Sequence, residues 1–385
     1  MATNKDIENN NPSASTPADN DIAKLTEVTE QDLAEAIIDE YGAKYSKDGK
    51  RLLKAPKDFL HYNIKEGTEI ICKSACCLCN NLATITIPPS VTAIGDKAFS
   101  GYSCLTSITI PQNVRTMEGN PFVDWHGHIE IDSPYFKYED GALIDIEKGI
   151  LVAFCSNAKF YTIPPSVTAI GGSAFSWCSN LTSITIPQSV TSIGRSAFSS
   201  CASLTSITIP PSVTAIGSSA FLGCRSLTSI TIPPSVTTIG EGAFEGCSSL
   251  TSVTIPPSVT AIGDNAFSWC KSLTSITIPQ SVTAIGEETF YCSSLTSIAI
   301  PPSVTAIGGS AFYGCKSLTF IIIPPSVTAI GDNAFSWCKS LISITIPQSV
   351  TVIGEETFYN CESLTSITIP PSVTAIGKNA FYNCI

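Results

Sequence analysis

The sequence predicts a solenoid, an array of short parallel β-strands stacked in a curved, right-handed coil, with one helix ahead of it. Three observations carry this. Nine near-identical units open at Leu181, Leu204, Leu227, Leu250, Leu273, Leu295, Leu318, Leu341 and Leu364, 22 or 23 residues apart. A fixed period of this size is the mark of stacked repeats. Within each unit, L-T-S-I-T-I-P-P-S-V-T-A-I-G-x-x-A-F-x-x-C-x-S, the apolar residues can line one core that a single unit cannot close. Hydrophobic residues make up 43% of the 385, and charged residues only 14%, well below the about one quarter usual in globular chains.

The elements follow in chain order. Residues 1–22 are rich in Asn, Ser, Pro and Asp and read as a disordered acidic tail. Residues 23–44 read as an acidic amphipathic helix, because Leu33, Ile37 and Tyr41 fall four apart and Gly42 can stop it. It either caps the first turn or stands free to recruit a partner. Residues 45–385 read as the solenoid. Its first turn is disguised: Ile64-Lys-Glu-Gly-Thr-Glu-Ile-Ile-Cys aligns with I-P-P-S-V-T-A-I-G, and Lys47-Asp48-Gly49 marks a turn between short strands. Regular units open at Leu82 and Leu105. Residues 115–160 interrupt them and read as two irregular turns carrying a second hairpin. Asp264-Asn-Ala-Phe-Ser-Trp-Cys recurs at Asp332, which indicates duplication of a three-unit block.

One unit explains the rest. Leu181, Ile184 and Ile186 point inward from a strand, while Ser183 and Thr185 point outward by the twofold alternation of strands. Pro187 ends that strand, since it has no N–H for the ladder. Val190 and Ile193 return to the core, Gly194 permits a turn, and Ala197, Phe198 and Cys201 fill the far side. Stacked strands of this kind form one parallel sheet. Eleven of the sixteen cysteines, including Cys79, Cys178, Cys270, Cys292, Cys315 and Cys384, share the last slot. Stacked side chains point in parallel, which keeps their Cβ atoms too far apart for a relaxed disulfide. The column reads as buried free thiols acting as small hydrophobes, which fits a reducing compartment.

The spacing L-x-x-I-x-I matches a leucine-rich repeat core, and P-x-x-V-x-x-I-G-x-x-A-F-x-x-C is more specific. Residues 45–385, with the Asp-Gly hairpin interruption, closely resemble the BspA-type leucine-rich repeat family. That resemblance implies a leucine-rich repeat solenoid that binds proteins and supplies no catalytic residue or cofactor. It also implies, as an alternative, a cell-surface adhesin or antigen that attaches to host matrix.

The outward strip is mostly Ser and Thr, a soluble face. It is broken once. Phe320 and Ile322 replace Ser and Thr, Ala299 replaces Thr on the preceding turn, and Ile342 replaces Thr on the following one. These four residues are the candidate partner-binding site, since an exposed apolar cluster with an aromatic suits a protein anchor. The other variable positions lie on the loop side of each unit, with Trp177, Trp269 and Trp337 at one slot. The last turn, lacking a polar cap, is a candidate for self-association.

Other chemistry finds little support. The three histidines, His61, His126 and His128, lie outside the regular array, so no nucleophile–histidine machine can be built there. Asp124-Trp-His-Gly-His reads as a polar strand end rather than a metal site, and Cys76-Cys77-Leu-Cys79 lacks a second cysteine pair. The net charge of -11 arises mainly from ten acids against two lysines in residues 1–42. No basic stripe suggests nucleic acid, and no apolar run is long enough to span a membrane. The N-terminus carries no apolar signal segment, so the expectation is a cytoplasmic protein, with export by an unrecognised route as the alternative. The expected role is a non-enzymatic protein-binding scaffold.

Overall fold

The structure is a computed structural model and describes residues 24–101 and 104–384. The acidic tail expected at 1–22 lies outside these. The chain divides into two units. One holds the described residues of Ser13–Ala158 with Pro164–Cys178, the other those of Lys159–Ile163 with Ser179–Ile385. Both are stacks of parallel-strand turns.

The regular unit shows the turn most plainly. Strand Ser206–Thr208 pairs in parallel with Ser229–Thr231, and that strand with Ser252–Thr254, each Ser opposite Ser. The β-branched residues favour the strand, and Pro210 closes it. A second parallel ladder, absent from the sequence reading, joins Ala215–Ile216 to Thr238–Ile239 and onward to Ala261–Ile262. The third side of the turn is irregular yet still bonded to its neighbour: Ser219, Phe221 and Gly223 donate their N–H groups to Glu241, Ala243 and Glu245 carbonyls at 2.7–2.8 Å. Two left-handed residues, Ser219 (φ 55°) and Gly223 (φ 69°), bend this side so that both Phe221 and Cys224 point inward. Gly263 is required for a different reason. A Cβ there would lie 2.4 Å from the Glu241 nitrogen of the preceding turn, so only glycine lets the two backbones approach.

The core is a set of columns. Leu227, Val236, Ala243, Phe244 and Cys247 are all fully buried, as are their counterparts in adjoining turns. Phe198, Phe221 and Phe244 stack face to face with centroids 5.3 and 5.4 Å apart. No disulfide forms among the described residues. The cysteines of the column donate their thiols to the Phe carbonyl one turn back, as Cys224 does to Phe198 at 3.1 Å. One assignment is corrected. Cys292 is not in the column: it is half-buried and left-handed (φ 53°), with its N–H on the Tyr291 slot of the next turn, Tyr313, at 2.7 Å. Ser293 fills the column instead, buried and 3.2 Å from the Cys315 sulfur. The unit is one residue short, and the shortening falls after the column slot rather than before it.

The other unit is less regular. Residues 23–44 do not form one helix. Among the described residues, helix covers 24–26 and Glu30–Ala34, the latter with a Thr29 capping box and no buried residue. Ile37–Ile38 then pairs antiparallel with Lys44–Tyr45. Asp39 accepts from the N–H groups of Tyr41 and Ala43, and Gly42 is left-handed at φ 87°, so the chain turns where the helix was expected to continue. β-Branched Ile37 and Ile38 gain more from a strand partner than from an unburied helix. Lys44–Tyr45 pairs antiparallel with Arg51–Lys54, which starts a parallel ladder through Ile70–Ile71 and Ala93–Ile94 to Thr116–Met117. The interruption repeats the device. Phe136–Glu139, Ala142–Asp145 and Ile150–Phe154 form an antiparallel meander, and the last strand pairs in parallel with Ala169–Ile170. Asp140 (φ 51°) and Gly141 (φ 82°) supply the two positive angles that its tight turn needs.

Candidate functional site

The four residues singled out in the sequence come together in the regular unit. Strand Phe320–Ile322 pairs with Ser297–Ala299, placing Ile322 opposite Ala299, and Phe320 lies opposite Ser343 on the other side. Ile342 immediately precedes Ser343. Phe320 is 50% exposed, Ile322 62% and Ile342 53%, and Ala299 is exposed as well, while Ile321 between them is buried. The backbone is undisturbed: Ile342 donates to the Thr319 carbonyl at 3.2 Å, as Thr228 does to Thr205. The substitutions therefore alter the surface without altering the turn. On the surrounding turns, the threonines that open each strand spend their hydroxyls on the backbone, as Thr205 and Thr228 do at 3.2 and 3.3 Å. The Ser and Thr within the strands from Ser183 to Thr277 face outward, and the Phe320 cluster interrupts this hydroxyl strip, as 70% exposed Phe160 does opposite Ser183.

A second feature was only partly visible in the sequence. On the loop side, Trp269, Tyr291 and Tyr313 follow one another on consecutive turns, with centroids 5.3 and 4.8 Å apart. Trp337, Tyr359 and Tyr382 repeat the arrangement at 6.2 and 5.0 Å. Each tryptophan carries a lysine over its ring, Lys271 at 5.2 Å and Lys339 at 5.0 Å. Burial, ahead of the neighbouring Cys292, pushes the phenols of Tyr291 and Tyr313 upward. The tryptophans share one slot in the sequence. The tyrosines, one slot earlier in their own turns, escaped because only the stacking geometry joins the two slots into one column. The Phe-Tyr pairs at 290–291, 312–313, 358–359 and 381–382 were the signal available.

The histidines do not converge. His61 is exposed and shares a 2.7 Å hydrogen bond with Thr84. His128 meets the edge of Tyr138 at 5.5 Å, and burial holds the half-buried His126 imidazole below its ordinary pKa. Just before His126, Trp125 takes the column slot that cysteine fills elsewhere, buried, with its indole N–H on the Leu105 carbonyl at 2.7 Å. Among the described residues no three His, Cys, Asp or Glu side chains are placed to hold a metal ion, and no helix is long and apolar enough to cross a membrane. Cys76 and Cys79 are buried in the core.

Comparison with known proteins agrees with this architecture. The BspA type leucine rich repeat region matches residues 56–136, 146–273, 214–342 and 328–385. The chain belongs to this family of leucine-rich repeat proteins. Among solved structures, a leucine-rich repeat protein from Bacteroides ovatus is 29% identical, with a TM-score of 0.59, covering 91% of this chain and 83% of that one. A leucine-rich repeat protein from Eubacterium ventriosum is 23% identical, with a TM-score of 0.52, covering 77% of this chain and 92% of that one, and shows the same fold. A search of curated proteins found no match.

Proposed function

We propose that this chain is a non-enzymatic scaffold that binds a protein partner through the face centred on Phe320, with Ala299, Ile322 and Ile342. The observation that carries it is the apolar cluster itself, exposed on a strip where the turns from Ser183 to Thr277 present Ser and Thr. Membership in a family of repeat scaffolds supports a binding role over a catalytic one. An aromatic anchor flanked by aliphatic side chains, once covered, recovers the free energy that these groups lose in water.

The test is Phe320→Ser with Ile322→Thr, which restores the residues of the neighbouring turns. The double variant should melt like the parent and lose a partner that the parent retains on an affinity column loaded with source-cell lysate. Retention of the same partner by both would discard the patch. The last described turn, where Ile376 and Tyr382 are exposed, offers a second copy of the chain as another occupant. Mass measurement at high concentration reads that directly, and a monomer throughout removes it.

The free thiols favour a reducing compartment over the cell-surface alternative. Protease treatment of intact source cells separates the two: protection until lysis supports the first, and loss of the protein from unlysed cells supports a surface role.

A further inference from the structure

We propose that the loop edge of the regular unit is a duplicated recognition site for an arginine-rich segment of a partner protein. Its two copies are Trp269 with Glu287 and Glu288, and Trp337 with Glu355 and Glu356.

Four observations converge on this edge. First, it concentrates the charge. From Ser179 onward the strands and the hydroxyl strip carry none, whereas nine carboxylates and three lysines fall between Glu241 and Glu362, all on the loop side. Lys339 pairs with Glu362, and among the described residues no lysine or arginine forms an ion pair with Glu287, Glu288, Glu355 or Glu356. Second, like charges crowd this edge around Glu245. Burial, then Glu288 and then Glu241, pushes the Glu245 carboxyl upward. Like charges on adjoining turns cost stability and are relieved by a cationic ligand.

Third, the ring faces already seat cations. Lys271 and Lys339 lie over Trp269 and Trp337 within the range of a cation–π contact. A planar guanidinium stacks on indole better than an ammonium does and is less strongly hydrated, so arginine from a partner can displace these lysines. The same guanidinium can then reach the carboxylates of the next turn. The backbone holds them near: Trp269 donates to Tyr291 at 2.7 Å, and Tyr291 donates to Glu288 at 3.1 Å.

Fourth, tryptophan is the wrong residue for the fold at this slot. Trp269 (φ 57°) and Trp337 (φ 62°) are left-handed, and Gly223, Gly246, Asn360 and Asn383 occupy the same slot on other turns. A bulky side chain there is disfavoured relative to glycine, and Trp269 remains 42% exposed. The indole is therefore retained at the expense of the turn. Two copies three turns apart let one extended chain engage both, which raises affinity without new contacts.

The test titrates a nona-arginine peptide into the full chain at low salt, followed by tryptophan fluorescence and by calorimetry. A glycine–serine peptide of equal length is the control. The expected results are binding with quenched emission, no binding of the control, and at least ten-fold weaker binding for Trp269→Asn with Trp337→Asn. Asparagine suits the left-handed slot, so that variant should melt no lower than the parent. Phe320→Ser with Ile322→Thr should bind the peptide unchanged, which separates this site from the strand face. Absence of peptide binding, or equal affinity for the tryptophan double variant, overturns the proposal.

Discussion

The two units close the same kind of core by different means. In the regular unit each turn presents the next with a near copy of itself, so Phe rings stack face to face, as Phe198 on Phe221 and Phe312 on Phe335 do at 2°, and thiols repeat down one column. In the irregular unit Trp125 occupies a column slot, antiparallel hairpins start two ladders, and specific polar contacts replace repetition. There Arg51 reaches Asp32 at 2.9 Å and Lys73 reaches Glu27 at 2.9 Å, and Thr26 bonds to Glu118. The difference teaches that stacking identical faces needs no individual designed contact, whereas starting or interrupting a stack does.

The largest expected effect that would break this comparison is alkaline. Burial pushes the thiols of Cys224, Cys270, Cys315 and Cys361 up to about 12, and those of Cys247 and Cys338 well above their ordinary value. A thiol whose pKa is raised by folding stabilises fully below its unfolded pKa. That stability is lost as pH rises toward the folded value. The regular unit should therefore lose its melting transition between about pH 9 and 12, as read by calorimetry. A transition that holds its temperature across that window would show that the column is not buried in solution. In labelling at pH 8, exposed Cys104 and half-buried Cys292 should react before Cys270 and Cys315.

Next in size is Phe244→Ala. Phe244 stacks on Phe221 and Phe267, both at 5.4 Å, and is fully buried. Its loss should cost about 3–5 kcal/mol. Because neighbouring turns depend on one another, hydrogen exchange should accelerate on both sides of the altered turn. Acceleration confined to that one turn would refute nearest-neighbour coupling. Phe122→Ala, in the irregular unit between Phe99 and Trp125, is the matching probe for a stack that is not self-similar.

The smallest effect sharpens the contrast. Thr29→Ala removes a capping box in which Thr29 and Asp32 bond reciprocally at 2.9 and 3.1 Å. It should cost about 1 kcal/mol, felt by amides of residues 24–36 and not by the regular unit. The Thr29 N–H, and less strongly Arg51, hold the Asp32 carboxyl below its ordinary value. The stability it lends is present above the unfolded carboxylate pKa and disappears as pH falls through the lowered one. Exchange of the same amides should rise on acidification, and a flat acid profile would remove Asp32 from the account.

Much of this was legible beforehand. The inward set of Leu, Ile, Val, Ala and Phe, the outward Ser and Thr, and the exposed Phe320 cluster all follow from periods that act within one turn. The second strand ladder at Ala215–Ile216 was missed because two-residue strands leave too short a pattern to read. The helix expected to run to Tyr41 failed because an i, i+4 spacing was read without knowing whether anything would cover that face.

By itself the sequence determined the repeat, the residues that fill its core and the break in its hydroxyl strip. These depend on local alternation and on a period that every unit enforces on the next. The tertiary structure alone decided that Ser293 rather than Cys292 enters the column, that Ile37–Ile38 becomes a strand, and that tryptophans and tyrosines from different slots share one stack. Each of those outcomes turns on which backbone groups of an adjoining strand or turn are available to pair, and pairing between segments is not encoded in any one segment's pattern.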